Sequence, residues 1–305
     1  MKYEEWLNEW LENYVAPARK VRTRELYESI VNRRIKPYLG EYHLEELTPL
    51  VMQKFITRTL LGGNQKTGGG LSSNSVNGII FVMQNSLKTA NSVGLIKEYT
   101  ANKICRPKTI EKKIGCFTSA EQKTIEKAAF SSRKQKMLGI VICLYTGVRI
   151  GELLALKWQH IDFTAGQINI AQSCYYGRQG RIESTPKTEN SKRSIPLPRK
   201  ILKILREMRA KSDSEYVISA LGKPVSTRSY QRSFELFLHK LHIPHRGFHV
   251  LRHTFATRAL ECGMDVKTLS EILGHKNSSV TLNRYAHSLI DHKRAMMNKL
   301  GKLLE

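Results

Sequence analysis

Apolar residues recur at helical spacing through most of the first hundred positions. Trp6, Leu7, Trp10, Leu11 and Tyr14 fall on one face of a 3.6-residue repeat, and Leu26, Ile30, Ile35 and Leu39 carry a second repeat as far as Gly40. A third helix is predicted after Thr48-Pro49, because threonine caps a helix and proline suits its first turn; it carries Leu50, Met52, Phe55 and Ile56. The stretch from Gly62-Gly63-Asn64 to Gly68-Gly69-Gly70 breaks the pattern, and Ser72, Ser73, Asn74 and Ser75 then offer caps for a helix through Ile79, Ile80, Val82, Met83 and Leu87. The glycines read as the connection of a helical hairpin. Lys66-Thr67 follows Gln65 and opens no strand-to-helix unit, so the spacing of a phosphate-cradling nucleotide loop is missing.

From Arg106 to Cys116 the chain turns polar, with Pro107, Lys108, Glu111, Lys112 and Lys113, which predicts a linker between two domains. Thr118-Ser119-Ala120-Glu121 then has the form of a capping box, and Met137 to Tyr145 is apolar all round, as a buried helix requires. Alternation at Ile168-Asn169-Ile170, turn glycines at 177 and 180, and Ser194-Ile195-Pro196-Leu197 predict one small antiparallel sheet over 167–197, with Lys187 in or beside its last hairpin. Helical spacing returns with Ile201, Leu202 and Leu205, then Phe234, Leu236, Phe237 and Leu238, then Leu269, Ile272 and Leu273. The expected architecture is therefore mainly α with a small antiparallel β-sheet: a helical domain over 1–105, a linker over 106–116, and an α+β domain over 117–305.

Charge changes this picture from a fold into a partner. The 305 residues carry 50 Lys+Arg against 26 Asp+Glu, a formal net charge of +24, which attracts polyanions. Residues 1–105 hold 14 basic and 10 acidic side chains, so the excess of +20 lies in residues 106–305. Five cysteines (Cys105, Cys116, Cys143, Cys174, Cys262) are odd in number and without Cys-x-x-Cys spacing, which argues against a disulfide framework or a zinc cluster and fits a reducing cytoplasm. The N-terminus is acidic and amphipathic, and no apolar run approaches a membrane span, so no membrane partner is expected.

The candidate chemistry lies in an ordered set: Arg149, Lys187, His249, Arg252 and His275, with Tyr285 ten residues further on. Guanidiniums donate paired hydrogen bonds to phosphate oxygens and stay charged at any relevant pH, so Arg149 and Arg252 suit the two non-bridging oxygens of a phosphodiester. An ammonium among other cations gives up its proton more easily, which fits Lys187 to protonate a departing oxygen. His249 and His275 accept a proton or donate a hydrogen bond. A phenol with a pKa near 10 is only about a thousandth ionised at neutral pH, so Tyr285 as a nucleophile needs such neighbours. Neither a metal nor another cofactor is required.

These residues stand in the strings Thr146-Gly147-Val148-Arg149-Ile150-Gly151-Glu152, His249-Val250-Leu251-Arg252-His253, Leu273-Gly274-His275 and Tyr285-Ala286-His287. Together they resemble the tyrosine recombinase (phage-integrase) family, including integrases of phages and conjugative transposons. The resemblance implies that 1–105 is a SAM-like core-binding domain and 117–305 the catalytic domain, the two embracing a duplex as a clamp. It implies that the arginines and His275 bind the scissile phosphate, Lys187 is the general acid, His249 assists proton transfer and Tyr285 forms a 3′-phosphotyrosine. Glu152 matches the acidic position that orients the first arginine. Integration and excision of a mobile element follow as the expected activity of a nucleoid-associated cytoplasmic enzyme. The alternatives are a type IB topoisomerase, a chromosome-dimer-resolving recombinase, and an idle DNA-binding regulator.

Around this core, Arg178, Arg181, Lys192 and Arg193 are expected to contact the phosphate backbone of double-stranded DNA. His239, His242 and His245 recur every three residues but without an evident carboxylate or thiol partner, so no metal site is expected; His253 reads as structural and His287 as a polar support near Tyr285. The segment 288–305 is amphipathic, with Leu289, Ile290, Met296, Met297, Leu300, Leu303 and Leu304 amid Lys293, Arg294, Lys299 and Lys302. In the resembling family such a tail docks on a neighbouring protomer, which implies a tetramer on DNA with tail exchange and room for accessory DNA-bending proteins. The further N-terminal domain by which many integrases read distant arm sites does not precede Trp6, so arm-site recognition is either lacking or lies outside this chain.

Overall fold

The computed structural model describes residues 1–65, 67–109, 115–132, 134–184 and 192–275, with Met297, Asn298, Leu300, Gly301 and Leu304 near the C-terminus. Lys187, Tyr285, His287 and most of the tail lie outside the described residues. The chain divides into two compact units, Met1–Lys112 and Lys113–Glu305.

The first unit is helical. Helix α1 (Tyr3–Glu9) runs on into a π-helical turn at Trp10–Val15, and α2 (Val21–Ile30) runs through a second one at Val31–Ile35 into α3 (Lys36–Leu39). A π turn holds more residues per turn than an α-helix, so a strict 3.6-residue reading loses phase across it. The buried stripe through α2 and the π turn that follows it is accordingly Tyr27, Val31 and Ile35, while Leu26 and Tyr14 are exposed. Helices α4 (Pro49–Gly62) and α5 (Ser73–Ser92) start at the predicted caps: Thr48 Oγ1 accepts from the Val51 N–H and Ser72 Oγ from the Ser75 N–H, each at 3.3 Å. Leu50, in the first turn of α4, faces outward, and Met52, Phe55 and Ile56 form the buried face. Between these helices, a Cβ on Gly70 would lie 2.1 Å from the Leu60 carbonyl oxygen, so only glycine fits. The indole N–H groups of Trp6 and Trp10 donate to the Ser86 carbonyl and the Thr89 hydroxyl of α5, which locks the N-terminal helix onto this core.

The second unit starts at α6 (Ser119–Ser131), where Thr118 Oγ1 accepts from the Glu121 N–H at 3.2 Å and Glu121 Oε2 accepts from the Thr118 N–H at 2.7 Å, the capping box read from the sequence. Helix α7 (Gln135–Thr146) is the centre of the core, with Ile140, Val141, Ile142, Cys143 and Leu144 all buried, and is followed by the short α8 (Ile150–Ala155). Strands β1 (Ile161–Asp162), β2 (Gln167–Ile170), β3 (Ser173–Gly177), β4 (Gly180–Ser184) and β5 (Arg193–Pro196) follow. The single sheet expected over 167–197 is two. β1, β2 and β5 form one antiparallel sheet with Ile168 opposite Ile195 and Ile170 opposite Arg193, whereas β3 and β4 form a separate hairpin. The hairpin packs directly onto the backbone of α8 at Gly151, where a Cβ would lie 2.6 Å from Ser173 Oγ and 2.7 Å from the Cys174 carbonyl.

Then come α9 (Arg199–Arg209), a two-residue hairpin β6 (Ser219–Ala220) and β7 (Lys223–Pro224), and α10 (Thr227–Lys240), α11 (Val250–Glu261) and α12 (Val266–Leu273). In α10, Tyr230, Phe234 and Leu238 are buried and Leu236 is exposed on the opposite face. All five cysteines are free. Among the described residues no helix is long and apolar enough to cross a membrane.

Candidate functional site

Three helix ends meet in the second unit, and the sequence places a glycine at two of them. Helix α7 stops at Gly147, whose φ of +63° is the left-handed conformation that glycine adopts at no steric cost. A Cβ there would lie 2.5 Å from Phe255 and 2.7 Å from Leu273, so the position is closed to other residues on two grounds. Val148 is buried next, and Arg149 becomes the N-cap of α8. Helix α12 ends in the same way at Gly274, φ +64°, immediately before His275.

Arginine has no side-chain acceptor with which to cap a helix, and Glu152 compensates by reaching back. Its Oε2 accepts from the Arg149 backbone N–H at 2.8 Å and its Oε1 from Arg149 Nη1 at 2.8 Å. One carboxylate thereby starts α8 and aims the guanidinium, whose Nη2 donates to the Gly274 carbonyl at 3.2 Å.

Arg252, on α11, is only 3% exposed. Its Nη1 donates to the Gly147 carbonyl at 2.8 Å and its Nη2 to the Leu273 carbonyl at 2.7 Å, so it bridges the C-terminal ends of α7 and α12, where carbonyls lack helical partners and the helix dipole is negative. The same Nη2 meets His275 Nε2 at 2.9 Å. Because a guanidinium only donates, Nε2 accepts, and the imidazole in this arrangement carries its proton on Nδ1. His249 is exposed at the start of α11, three residues before Arg252 and so on one helical face with it; its ring stands edge-on to the buried His253 at 4.7 Å between centroids. Arg149, Glu152, Arg252 and His275 are thus brought together by direct contacts or through the Leu273-Gly274 turn, while Lys187 and Tyr285 lie outside the described residues.

Two of the four expected phosphate contacts need correcting. The Arg193 side chain is only 6% exposed and all three of its nitrogens are engaged: its Nη1 and Nη2 donate to the two oxygens of Glu152 at 3.1 and 2.8 Å, and its Nε to the Ile272 carbonyl at 2.5 Å. The signal was present in the strand alternation, since Arg193 shares a face with the buried Ile195. Arg181 donates to the Leu154 carbonyl at the end of α8 and to Glu183, both at 2.8 Å, with its guanidinium over the Tyr216 ring; it pins the β3–β4 hairpin to that helix. Arg178, at the hairpin tip, and Lys192 are exposed. His245 does have a carboxylate neighbour, Glu235 at 3.4 Å, yet among the described residues no group of three or more His, Cys, Asp or Glu side chains is arranged to hold a metal ion.

Burial by itself raises the Glu152 pKa, but the hydrogen bonds and charge of Arg193, then those of Arg149, outweigh it and bring the carboxyl down to about 2. Three guanidiniums against one carboxylate leave a cationic surplus, the condition for drawing in a phosphate. Glu152→Gln is expected to destabilise the second unit by about 3 kcal/mol at pH 7, the scale of breaking a buried ion pair. The carboxyl is held at about 2 against an ordinary 4.5, so its contribution is complete above 4.5 and is lost as pH falls towards 2. Denaturant unfolding of both proteins should therefore show the stability gap closing between pH 4.5 and 2. A gap that stays constant down that range would mean the ion pairs are not its source.

The profile of the phage integrase family matches residues 117–292, and that of the phage integrase N-terminal SAM-like domain matches residues 2–60. The chain is 28% identical to a tyrosine recombinase XerC-like protein of Caldanaerobacter subterraneus subsp. tengcongensis, across 97% of this chain and 82% of that one. It is 24% identical to the ICEBs1 integrase of Bacillus subtilis, across 90% of this chain and 76% of that one. In fold it is similar to the Tn1549 transposon integrase solved in complex with circular intermediate DNA, with a TM-score of 0.82, 97% of this chain and 99% of that one covered, and 20% identity.

Proposed function

The chain belongs to the phage integrase family, enzymes that break and rejoin DNA, and from that premise we propose that it is the site-specific recombinase that integrates and excises a mobile element. The observation that carries this reading is the meeting of Arg149, Arg252 and His275 at the Leu273-Gly274 turn, with Glu152 aiming Arg149. In the proposed reaction the two guanidiniums take the non-bridging oxygens of the scissile phosphate and His275 donates a further hydrogen bond, so the charge that builds on pentacoordinate phosphorus is met by donors already in position. The Tyr285 oxygen attacks phosphorus, the bond from phosphorus to the 5′ oxygen breaks, and Lys187 protonates that oxygen as it leaves. His249 assists removal of the phenolic proton. The 3′-phosphotyrosine keeps the energy of the broken bond, and the 5′-hydroxyl of a partner strand reverses the attack.

Exchange between two duplexes, each cut at two positions, calls for four active sites, which favours a tetramer on DNA in which the tail of 288–305 passes to a neighbour. Arg178 and Lys192 are the exposed cations proposed to meet phosphates beside the site. The test uses two differently labelled duplexes carrying the joined ends of the element and its target. Strands containing both labels are expected; relaxation of a supercoiled plasmid without any strand transfer would make the enzyme a topoisomerase instead.

A further inference from the structure

We propose that Arg193 is a positioning residue for strand cleavage, one that holds Glu152 and the end of α12 in a single frame and so sets Arg149 and His275 against the scissile phosphate. The inference rests on the catalytic reading of Arg149 given above. Glu152 shows how the frame works. Its Oε1 accepts from Arg149 Nη1 and Arg193 Nη1, and its Oε2 from the Arg149 N–H and Arg193 Nη2, so both arginines share each oxygen and the acceptor capacity of the carboxylate is used up. On its far side Arg193 donates to the Ile272 carbonyl and lies over Gly274, where a Cβ would come within 3.0 Å of Nη1. Arg149 touches the same glycine through its carbonyl. The turn that carries His275 is therefore held between two guanidiniums that are themselves joined by one carboxylate.

Only a planar fork can do this. Lysine offers a single ammonium, which cannot span both carboxylate oxygens and the Ile272 carbonyl together. The strand that carries Arg193 also explains its precision: β5 is paired to β2 along its length, with Ile170 opposite Arg193, so the guanidinium departs from a backbone fixed by the sheet. The charged and titratable groups around Glu152 are Arg149 at the start of its own helix, Arg193 from β5 and Cys143 from α7; the Cys143 thiol senses both Glu152 and Arg252 and is pushed up by burial, while Cys174 of β3 lies behind Gly151 and is also raised by burial. With Arg193 removed, the buried carboxylate keeps one guanidinium against its desolvation, and it must ionise before it can hold Arg149.

The experiment is single-turnover cleavage of a nicked suicide duplex at saturating protein, from pH 5.5 to 9, for the wild type, Arg193→Gln, Arg193→Lys, Arg149→Ala and the double variant Glu152→Gln with Arg193→Gln. Arg193→Gln is expected to bind the duplex within about threefold of wild type and to cleave about 100-fold more slowly at pH 6, the scale of misplacing a catalytic group. Its rate constant should climb with pH where that of the wild type does not, and the double variant should be slow with that climb removed. Arg193→Lys, which keeps a charge and the fold, should be slow without the added pH dependence, and it carries the test if Arg193→Gln does not fold. A merely structural role would lower the fraction of active protein and leave the rate constant and its pH profile unchanged. Wild-type rate constants in both Arg193 variants beside a slow Arg149→Ala would overturn this inference; a fast Arg149→Ala would overturn the catalytic reading beneath it.

Discussion

Replacing Tyr285 with phenylalanine is expected to reduce the SDS-resistant protein–DNA adduct to below detection while duplex affinity stays within about twofold of wild type. The change removes one oxygen and no charge. Binding to DNA draws on the +20 excess spread over residues 106–305, so the loss of a neutral hydroxyl leaves the electrostatic attraction intact. In the proposed reaction no other group replaces the attacking oxygen: water delivered to the same phosphorus would hydrolyse the strand without leaving it attached. The measurement is denaturing electrophoresis of a labelled suicide duplex, with a mobility-shift assay on the same samples. An adduct that persists in the variant would move the nucleophile to another side chain.

Arg252→Ala is expected to slow the chemical step by about 10² to 10³-fold, the cost of losing one preorganised donor to a developing oxyanion. It should also lower stability by about 1–3 kcal/mol, because the Gly147 and Leu273 carbonyls lose a buried donor. The two losses are separable, since a single-turnover rate constant reads only the folded molecules. Arg252→Lys keeps the charge but cannot reach both carbonyls and His275 Nε2 from one ammonium, so it should remain slow. The salt dependence of duplex binding should change little in either variant, because a residue 3% exposed between two helix ends is not a general phosphate anchor. A defect in affinity that matched the defect in rate would make it one.

The difference between Arg193 and its neighbours shows where local reading stops. Lys192-Arg193-Ser194 looks in sequence like a solvated basic stretch beside a hairpin. Strand alternation alone puts Arg193 on the inward face with Ile195, but the partners that make an inward arginine tolerable, Glu152 and Ile272, lie 41 and 79 residues away. Arg181 is similar, since its carbonyl partner Leu154 sits 27 residues earlier in another element. The phase error in α2 has a different origin. A π turn is chosen by how the helix meets its neighbours, and a period of 3.6 carried across Val31–Ile35 chose Leu26 where Tyr27 is buried.

What the sequence determined by itself were the properties that act within a few residues or sum over many. The caps at Thr48, Ser72 and Thr118, the buried run of α7, the pairing of Arg149 with Glu152 one turn on, and the basic surplus of the second unit all depend on short-range geometry or on plain counting. Tertiary structure alone decided that the ends of α7 and α12 lie close enough for one guanidinium to bridge them, that Gly147 and Gly274 leave room for side chains to pass, and that Arg193 closes the frame around Glu152. The physical reason is that a buried charge is stable only when all its partners arrive together, and those partners come from segments whose meeting is set by the packing of the whole core.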